Sequence, residues 1–372
     1  MKKRILVVSF KIGLGHFKAA EATRNYISEN YPDCEAKHVD LMDYSNVISR
    51  NFYQKGYLAI TGRVPAFYSY LYHHTSTVSN KFRLGFDLAT TKKFKKLVLD
   101  FKPDLIICTH FVAANLLPYW RKRLKLDYKI AFILTDFEAH PFLMVPGIDL
   151  YAVASEEVKN QLVSNKIDPQ KIKVTGIPIG SNFNQNLDRK ELQKEFGLDN
   201  KFTILLMNGG FGVGVTEKIF THLQEITEDL QVISVTGYNK KLEQEMQTVA
   251  EKSAKTNKVF GFTKRIPELM TIADLIISKA GGLTVSEALS VGTPLLIFRP
   301  TPGQEEANTK YLLKKQAALN AKTVTGIFRI INRALSGDID LKEIRKNIKE
   351  VAKPKSTQEV VELSLDLIGE NK

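Results

Sequence analysis

Residues 260–308 read FGFTKRIPELMTIADLIISKAGGLTVSEALSVGTPLLIFRPTPGQEEAN and decide the predicted fold of the second half of the chain. The apolar run at 273–278 predicts a buried parallel strand, and 283–291 predicts the helix that follows it. Gly281 and Gly282 lie in the turn between them. Glycines let the backbone approach a ligand, and the free N–H groups at a helix start favour an anion. The turn therefore predicts a phosphate site, although two glycines alone also fit an ordinary packing turn.

Polar side chains follow this turn at positions that suit a nucleotide sugar. Glu287 lies one turn into the predicted helix, where a carboxylate would accept hydrogen bonds from ribose hydroxyls but would repel a phosphate. After the next apolar run, at 293–298, Gln304, Glu305 and Asn308 form a polar cluster that fits sugar hydroxyls.

The first half of the chain begins with another strand and turn. The run RILVVSF at 4–10 predicts the first strand of a parallel sheet, KIGLGH at 11–16 a turn, and 17–31 an amphipathic helix. Gly13 and Gly15 resemble the start of a dinucleotide fingerprint, but the third glycine is missing and His16 stands where the helix should begin. The sequence therefore does not predict a dinucleotide cofactor.

Strands and helices continue to alternate. Strands are predicted at 104–110, 129–136, 150–154 and 172–175, and a helix at 111–124. The carboxyl ends of parallel strands form ligand clefts. We therefore expect His110, Asp136 and His140 to lie near His16.

A second glycine-rich turn follows the strand predicted at 202–208. Gly209, Gly210 and Phe211 place bare amides at the carboxyl end of that strand, where they would hold the same diphosphate from the other side. A surface loop is the alternative. The chain loses its periodicity between 176 and 187, where we expect the domain boundary.

These motifs together resemble family 28 glycosyltransferases, above all the bacterial processive diacylglycerol glucosyltransferases and the plant monogalactosyldiacylglycerol synthases. The resemblance is carried by KIGLGH at 11–16, LTDF at 134–137 with His140, VTGIPI at 174–179, the turn at 209–214, SKAGGLTVSEAL at 278–289 and PGQEEAN at 302–308. It implies the α/β glycosyltransferase-B fold, with two doubly wound Rossmann-like domains facing a cleft. Residues 1–178 would bind the acceptor and the membrane, 179–354 the UDP-sugar, and 355–372 would form a helix packed back on the first domain.

The resemblance also implies roles for individual residues. It places the acceptor near Gly13, Gly15, His110 and His140. The implied contacts to the UDP-sugar come from Gly209, Gly210, Phe211, Phe262, Thr263, Gly281, Gly282, Thr284, Glu287, Gln304, Glu305 and Asn308.

The implied reaction is an inverting hexose transfer from UDP-sugar to the 3-hydroxyl of 1,2-diacylglycerol. His16 is the predicted base because imidazole titrates near neutral pH; capping a helix or donating to the sugar are its alternatives. Asp136 would orient the acceptor or act as the base itself. No metal or other cofactor is expected. Glucose is favoured over galactose as the sugar, and processive addition of further sugars is part of the resemblance.

Charge and aromatic residues indicate a lipid surface as partner. Residues 1–180 carry 26 Lys and Arg against 16 Asp and Glu, a balance of +10 out of the chain's +13. Residues 44–86 interleave ten aromatic rings with cations, a mixture typical of the headgroup region. Filling the core between helices is the alternative for these rings. The predicted membrane contacts are Arg50, Phe52, Tyr53, Lys55, Tyr57, Arg63, Phe67 and Tyr68.

Other functions fit less well. The runs are too short for a signal peptide or a membrane span, and two lone cysteines suit a reducing compartment, so we expect a peripheral protein at the cytoplasmic face of the cell membrane. The rival hypotheses are an N-acetylglucosaminyltransferase acting on a lipid-linked peptidoglycan precursor, a UDP-N-acetylglucosamine 2-epimerase, and a non-catalytic UDP-sugar sensor. Nucleic acid is not an expected partner, because the aromatics match none of its known binding motifs.

Overall fold

A computed structural model describes residues 2–11, 13–47, 49–50, 53, 80–208 and 217–369. The chain divides into two compact units. Unit 1 comprises Met1–Ser181, Thr301–Gln304 and Lys353–Lys372, and unit 2 comprises Asn182–Pro300 and Glu305–Ala352. Each unit is built on one six-stranded parallel sheet within the described residues. The predicted α/β fold class is therefore confirmed.

The sheet of unit 1 is buried on both faces. Its strand order is β2-β1-β3-β4-β5-β6, and its strands are β1 (Lys3–Ser9), β2 (Cys34–Asp40), β3 (Leu105–Cys108), β4 (Lys129–Ile133), β5 (Leu150–Val153) and β6 (Ile172–Val174). Along β1, Leu6 and Val8 enter one hydrophobic core whereas Ile5 and Val7 enter another. This alternation explains why the strand is apolar without interruption.

The helices of unit 1 before its C-terminal helix are α1 (Leu14–Asn30), α2 (Asn80–Thr90), α3 (Lys92–Phe101), α4 (Phe111–Leu124) and α5 (Glu156–Ser164). The helix predicted at 111–124 is confirmed as α4. The prediction for α1 was wrong at its start, because Gly15 and His16 lie in the first helical turn and not in the turn before it. Gly13, in extended conformation, is the N-cap of this longer helix.

The sheet of unit 2 has the strand order β12-β11-β10-β7-β8-β9. Its strands are β7 (Phe202–Met207), β8 (Leu230–Val235), β9 (Asn257–Phe260), β10 (Leu275–Ser278), β11 (Leu295–Phe298) and β12 (Ala318–Ala321). Its helices are α6 (Arg189–Glu195), α7 (Glu217–Gln224), α8 (Lys240–Glu251), α9 (Ile266–Ile272), α10 (Gly282–Val291), α11 (Gln304–Lys314), α12 (Val324–Leu335) and α13 (Leu341–Val351).

The C-terminal helix α14 (Ser356–Asp366) belongs to unit 1. Val360, Val361 and Leu365 are buried in the core cluster that contains Ile5 and Val7. In the part of the chain that the structure describes, no helix combines the length and the apolar character needed to cross a membrane.

Candidate active site

His16 lies at the carboxyl edge of the sheet in unit 1, in the first turn of α1. Its Nδ1 atom is 2.7 Å from the carbonyl oxygen of Thr109 and 3.0 Å from Oγ1 of Thr135. A carbonyl oxygen only accepts hydrogen bonds, so the proton of the neutral ring belongs on Nδ1. Nε2 is then the ring nitrogen with a lone pair to accept a proton.

Thr109 forms two hydrogen bonds with His16. The Thr109 hydroxyl donates to the main-chain carbonyl of His16 at 3.0 Å, and the His16 ring donates to the Thr109 carbonyl. Thr109 follows β3 and Thr135 follows β4, and these strands are neighbours of each other in the sheet. We did not predict a role for Thr109. A polar residue at a strand end was the available signal, but its partner is distant in sequence.

Burial sets the protonation of His16. Removal of the ring from water lowers its pKa from 6.5 to about 4, against the opposing effect of the hydrogen bond to the Thr109 carbonyl. The imidazole is therefore neutral at physiological pH. The expectation that His16 titrates near neutral pH was therefore wrong, because burial disfavours the charged ring. The neutral ring with a fixed tautomer keeps a lone pair on Nε2 that can accept a proton, but its lowered pKa makes it a weaker base than a free imidazole.

The two other histidines of this edge cap helical segments. Nδ1 of His110 accepts from the N–H of Val112 at the start of α4, and its ring packs against His16 with centroids 4.8 Å apart. Nδ1 of His140 accepts from the N–H of Phe142 at the start of a short 3₁₀ turn. The expected proximity of His110 to His16 is therefore present in unit 1.

Asp136 contacts a side chain that we assigned to the sugar. Within unit 1, Nε2 of Gln304 donates to Oδ2 of Asp136 at 3.0 Å. Gln304 is exposed and is the first residue of α11; it is counted with unit 1, whereas the rest of that helix belongs to unit 2. The carboxylate thus orients the amide of Gln304, a contact that sequence spacing alone does not reveal.

The glycine turn of unit 2 presents main-chain amides. Gly281 is the N-cap of α10, and among the described residues no side chain caps this helix. The turn follows β10, which lies between β7 and β11 in the sheet. A Cβ atom added to Gly281 would meet no atom of the described residues within 4 Å. Helix-start amides without a side-chain cap are groups that suit an anion.

Two exposed aromatic rings stack at the same edge of unit 2. Phe262 follows β9 and Tyr238 follows β8; their ring centroids are 4.5 Å apart and their planes differ by 10°. Phe262 is 44% exposed and Tyr238 is 58% exposed. Thr263 is half-buried and accepts from the N–H of Arg265 through its Oγ1. Tyr238 was not predicted as a site residue.

The remaining predicted sugar contacts differ in exposure. Thr284 and Glu287 on α10 and Glu305 on α11 are half-buried. Asn308 is fully buried, and its Nδ2 donates to the carbonyl oxygen of Ala280 at 2.9 Å. Asn308 therefore ties α11 to the glycine turn, and its contact with a sugar stays a prediction.

The predicted membrane residues are only partly described. Arg50 donates to the carbonyl oxygens of Met42 and Asp43, and Tyr53 donates to Asp87 and packs on the ring of Phe10. Both residues therefore make contacts within unit 1, as expected if this segment helps to fill the core instead of contacting the membrane. The others lie outside the described residues: Phe52, Lys55, Tyr57, Arg63, Phe67 and Tyr68, together with Gly209, Gly210 and Phe211 of the second glycine turn.

Sequence and fold comparisons identify the family and the fold of the chain. Residues 16–179 match the family described as monogalactosyldiacylglycerol (MGDG) synthase, and residues 211–359 match the glycosyltransferase family 28 C-terminal domain. Over 98% of its length the chain superposes on the whole crystal structure of MurG from Acinetobacter baumannii, with a TM-score of 0.63 and 16% identity. The fold is therefore that of the glycosyltransferase-B proteins.

Curated relatives identify the group of glycosyltransferases to which the chain is similar. The processive diacylglycerol beta-glucosyltransferase of Bacillus licheniformis is 28% identical over 373 residues, which cover 96% of this chain and 94% of that protein. The Bacillus cereus protein of the same name is 30% identical over 275 residues, 74% of this chain and 70% of that one. The chain belongs to glycosyltransferase family 28, in the group of the processive diacylglycerol glucosyltransferases, and the predicted family is confirmed.

Proposed function

We propose that this protein transfers glucose from UDP-glucose to the 3-hydroxyl of 1,2-diacylglycerol with inversion at the anomeric carbon. The observation that carries the proposal is similarity over almost the full length to enzymes named for this acceptor and this sugar. The same name supports processive addition of further hexoses. These relatives favour the lipid acceptor over peptidoglycan precursors, over epimerisation and over a non-catalytic sensor.

His16 is the base in the proposed reaction. As the lipid oxygen attacks the anomeric carbon, its proton passes to Nε2, and the bond from that carbon to the diphosphate oxygen breaks. The Thr109 carbonyl supports this choice, because it accepts from Nδ1 and would stabilise the imidazolium that forms. The role proposed for Asp136 is to orient Gln304 toward the hexose, as their hydrogen bond suggests.

The amides at the start of α10 are the proposed site of the diphosphate. Negative charge grows on UDP as it departs, and fixed N–H groups at a helix start stabilise such charge. The proposal places the ribose at Glu287, the uracil near Phe262 and Thr263, and the hexose near Gln304 and Glu305. No step is assigned to a metal ion.

A lipid acceptor requires the enzyme to work at a membrane. We therefore also propose peripheral association with the cytoplasmic face of the cell membrane, through anionic lipids. The excess of Lys and Arg in residues 1–180 supports this partner.

Incubation of the protein with radiolabelled UDP-glucose and diacylglycerol vesicles tests the proposal. We expect label in a lipid-extractable product, and less label with UDP-galactose in a parallel reaction. Transfer only from UDP-N-acetylglucosamine to a lipid diphosphate, or release of N-acetylmannosamine, would replace the proposal with one of its rivals.

A further inference from the structure

Two neighbouring helices of unit 1 present a face that the candidate site does not use. Helices α3 and α4 meet through the rings of Phe94 and Trp120, whose centroids are 5.6 Å apart. Both rings are buried in the same core cluster. The opposite sides of the two helices face solvent.

Helix α3 exposes cations around one apolar side chain. It buries Phe94 and Val98, whereas Lys92, Lys96 and Leu99 are exposed. The spacing of these three residues, i, i+4 and i+7, places them along one side of the helix. Leu99 is 38% exposed, although burial is the usual fate of a leucine on an amphipathic helix.

Helix α4 repeats this combination. Tyr119, Lys122 and Arg123 are exposed at i, i+3 and i+4, while Leu116, Leu117 and Trp120 are buried. Tyr119 is 40% exposed. Each helix therefore offers two cations beside one large amphipathic or apolar side chain.

The charge of this face is not balanced by its surroundings. Residues 92–127 contain nine Lys and Arg against three Asp. Among the described residues, no carboxylate forms an ion pair with Lys92, Lys96, Lys122 or Arg123. The segment at 51–79 contains no Asp or Glu, so that part of the chain cannot supply the missing negative charge.

We propose that the α3–α4 face, defined by Lys92, Lys96, Leu99, Tyr119, Lys122 and Arg123, docks on an anionic phospholipid surface. The inference rests on the proposed function, since it names the surface by which the enzyme reaches its lipid acceptor. The cations attract anionic headgroups, and a leucine and a tyrosine between the cations suit the boundary between headgroups and acyl chains. A purely electrostatic nucleic-acid face would have no use for exposed Leu99.

The test is co-sedimentation with phosphatidylcholine vesicles that contain or lack phosphatidylglycerol. Reversal of the four cations, in K92E/K96E/K122E/R123E, should weaken binding to the anionic vesicles at least about a hundredfold, because each basic residue near the surface contributes on the order of a factor of five. The matched control is K241E/K252E/K342E/K349E, which makes the same charge change at exposed lysines of unit 2. It should bind much more tightly than the first variant.

One further variant distinguishes a membrane surface from an RNA-binding surface. L99S/Y119S should weaken vesicle binding severalfold and leave any binding of single-stranded RNA unchanged. Equal losses in the two charge-reversal variants, or binding of wild type to RNA but not to anionic vesicles, would overturn the inference.

A transfer assay in detergent micelles distinguishes a failure of the docking proposal from a failure of the proposed function. Transfer to diacylglycerol in neutral detergent micelles should be the same in K92E/K96E/K122E/R123E as in wild type, and thermal unfolding of the two should coincide. If wild type shows no transfer in micelles but still binds anionic vesicles through this face, the proposed acceptor is wrong and the docking surface stands.

Discussion

At the carboxyl edge of its sheet, unit 1 presents hydrogen-bonded side chains, whereas unit 2 presents main chain. In unit 1, the imidazole of His16 has a lowered pKa and is held by hydrogen bonds with Thr109 and Thr135. In unit 2, α10 begins at Gly281 and Gly282 without a side-chain cap among the described residues. Proton transfer needs a titratable group, while a diphosphate needs only fixed donors. We therefore propose that the edge of unit 1 carries out the proton transfer and the edge of unit 2 binds the donor.

The largest effect should come from the unit 1 edge. His16→Ala should lower kcat about a thousandfold, since a general base contributes on the order of a hundredfold to ten-thousandfold. The affinity for UDP, measured by calorimetry, should stay unchanged. Lost UDP binding in this variant would mean that the division between the two edges is wrong.

Acid should destabilise unit 1. Burial lowers the pKa of His16 and of His38 to about 4, so the unfolded chain takes up protons first as the pH falls below 6.5. Their contribution is complete above pH 6.5 and is lost progressively toward pH 4, by roughly 3 kcal/mol per histidine at most. The single tryptophan, Trp120, lies in the core of unit 1. Urea unfolding followed by its fluorescence should therefore show the free energy of unfolding falling with pH, and the fall should be smaller in H38Q. A free energy of unfolding that stays constant from pH 7 to pH 4 would show that these histidines are not buried in their neutral form.

The glycine turn of unit 2 should tolerate a methyl group in folding but not in binding. A Cβ at Gly281 meets no atom of the described part of the chain within 4 Å, so Gly281→Ala should unfold at the wild-type temperature. If the turn cradles the diphosphate, that methyl group should weaken UDP binding about tenfold to a hundredfold.

A structural glycine of unit 1 provides the control. Gly176 has φ +83°, and a Cβ there would lie 2.5 Å from Cβ of Lys353. Gly176→Ala should thus lower the unfolding temperature. Unchanged UDP affinity in Gly281→Ala would show that the diphosphate binds elsewhere.

Replacement of Asp136 should have a smaller effect than replacement of His16, acid, or replacement of Gly281. If it orients Gln304, then D136N should lower kcat/KM about tenfold, because a hydrogen bond to a carboxylate is replaced by one to a neutral group. D136N/Q304A should be little worse than Q304A alone. A thousandfold loss of kcat in D136N, independent of residue 304, would instead make Asp136 the base.

The sequence predicted the inner strands of both sheets, since each is a short apolar run, and it predicted α4 to the residue. It missed the edge strands β2, β9 and β12, which are only partly buried and lack such a run. It predicted the start of α1 three residues too late, because Gly15 and His16 already lie in the first helical turn after the N-cap Gly13. The contacts of His16 with Thr109 and of Asp136 with Gln304 join residues far apart in the chain, so local patterns do not contain them. Likewise, the cations of α3 become a face only through packing of Phe94 on Trp120.

A crystal structure of the protein with UDP would locate the diphosphate. We expect it within hydrogen-bond distance of the first amides of α10, at Gly282 and Leu283, with the uracil near Phe262. A diphosphate bound to side chains around His16, or anywhere away from α10, would contradict the proposed donor site.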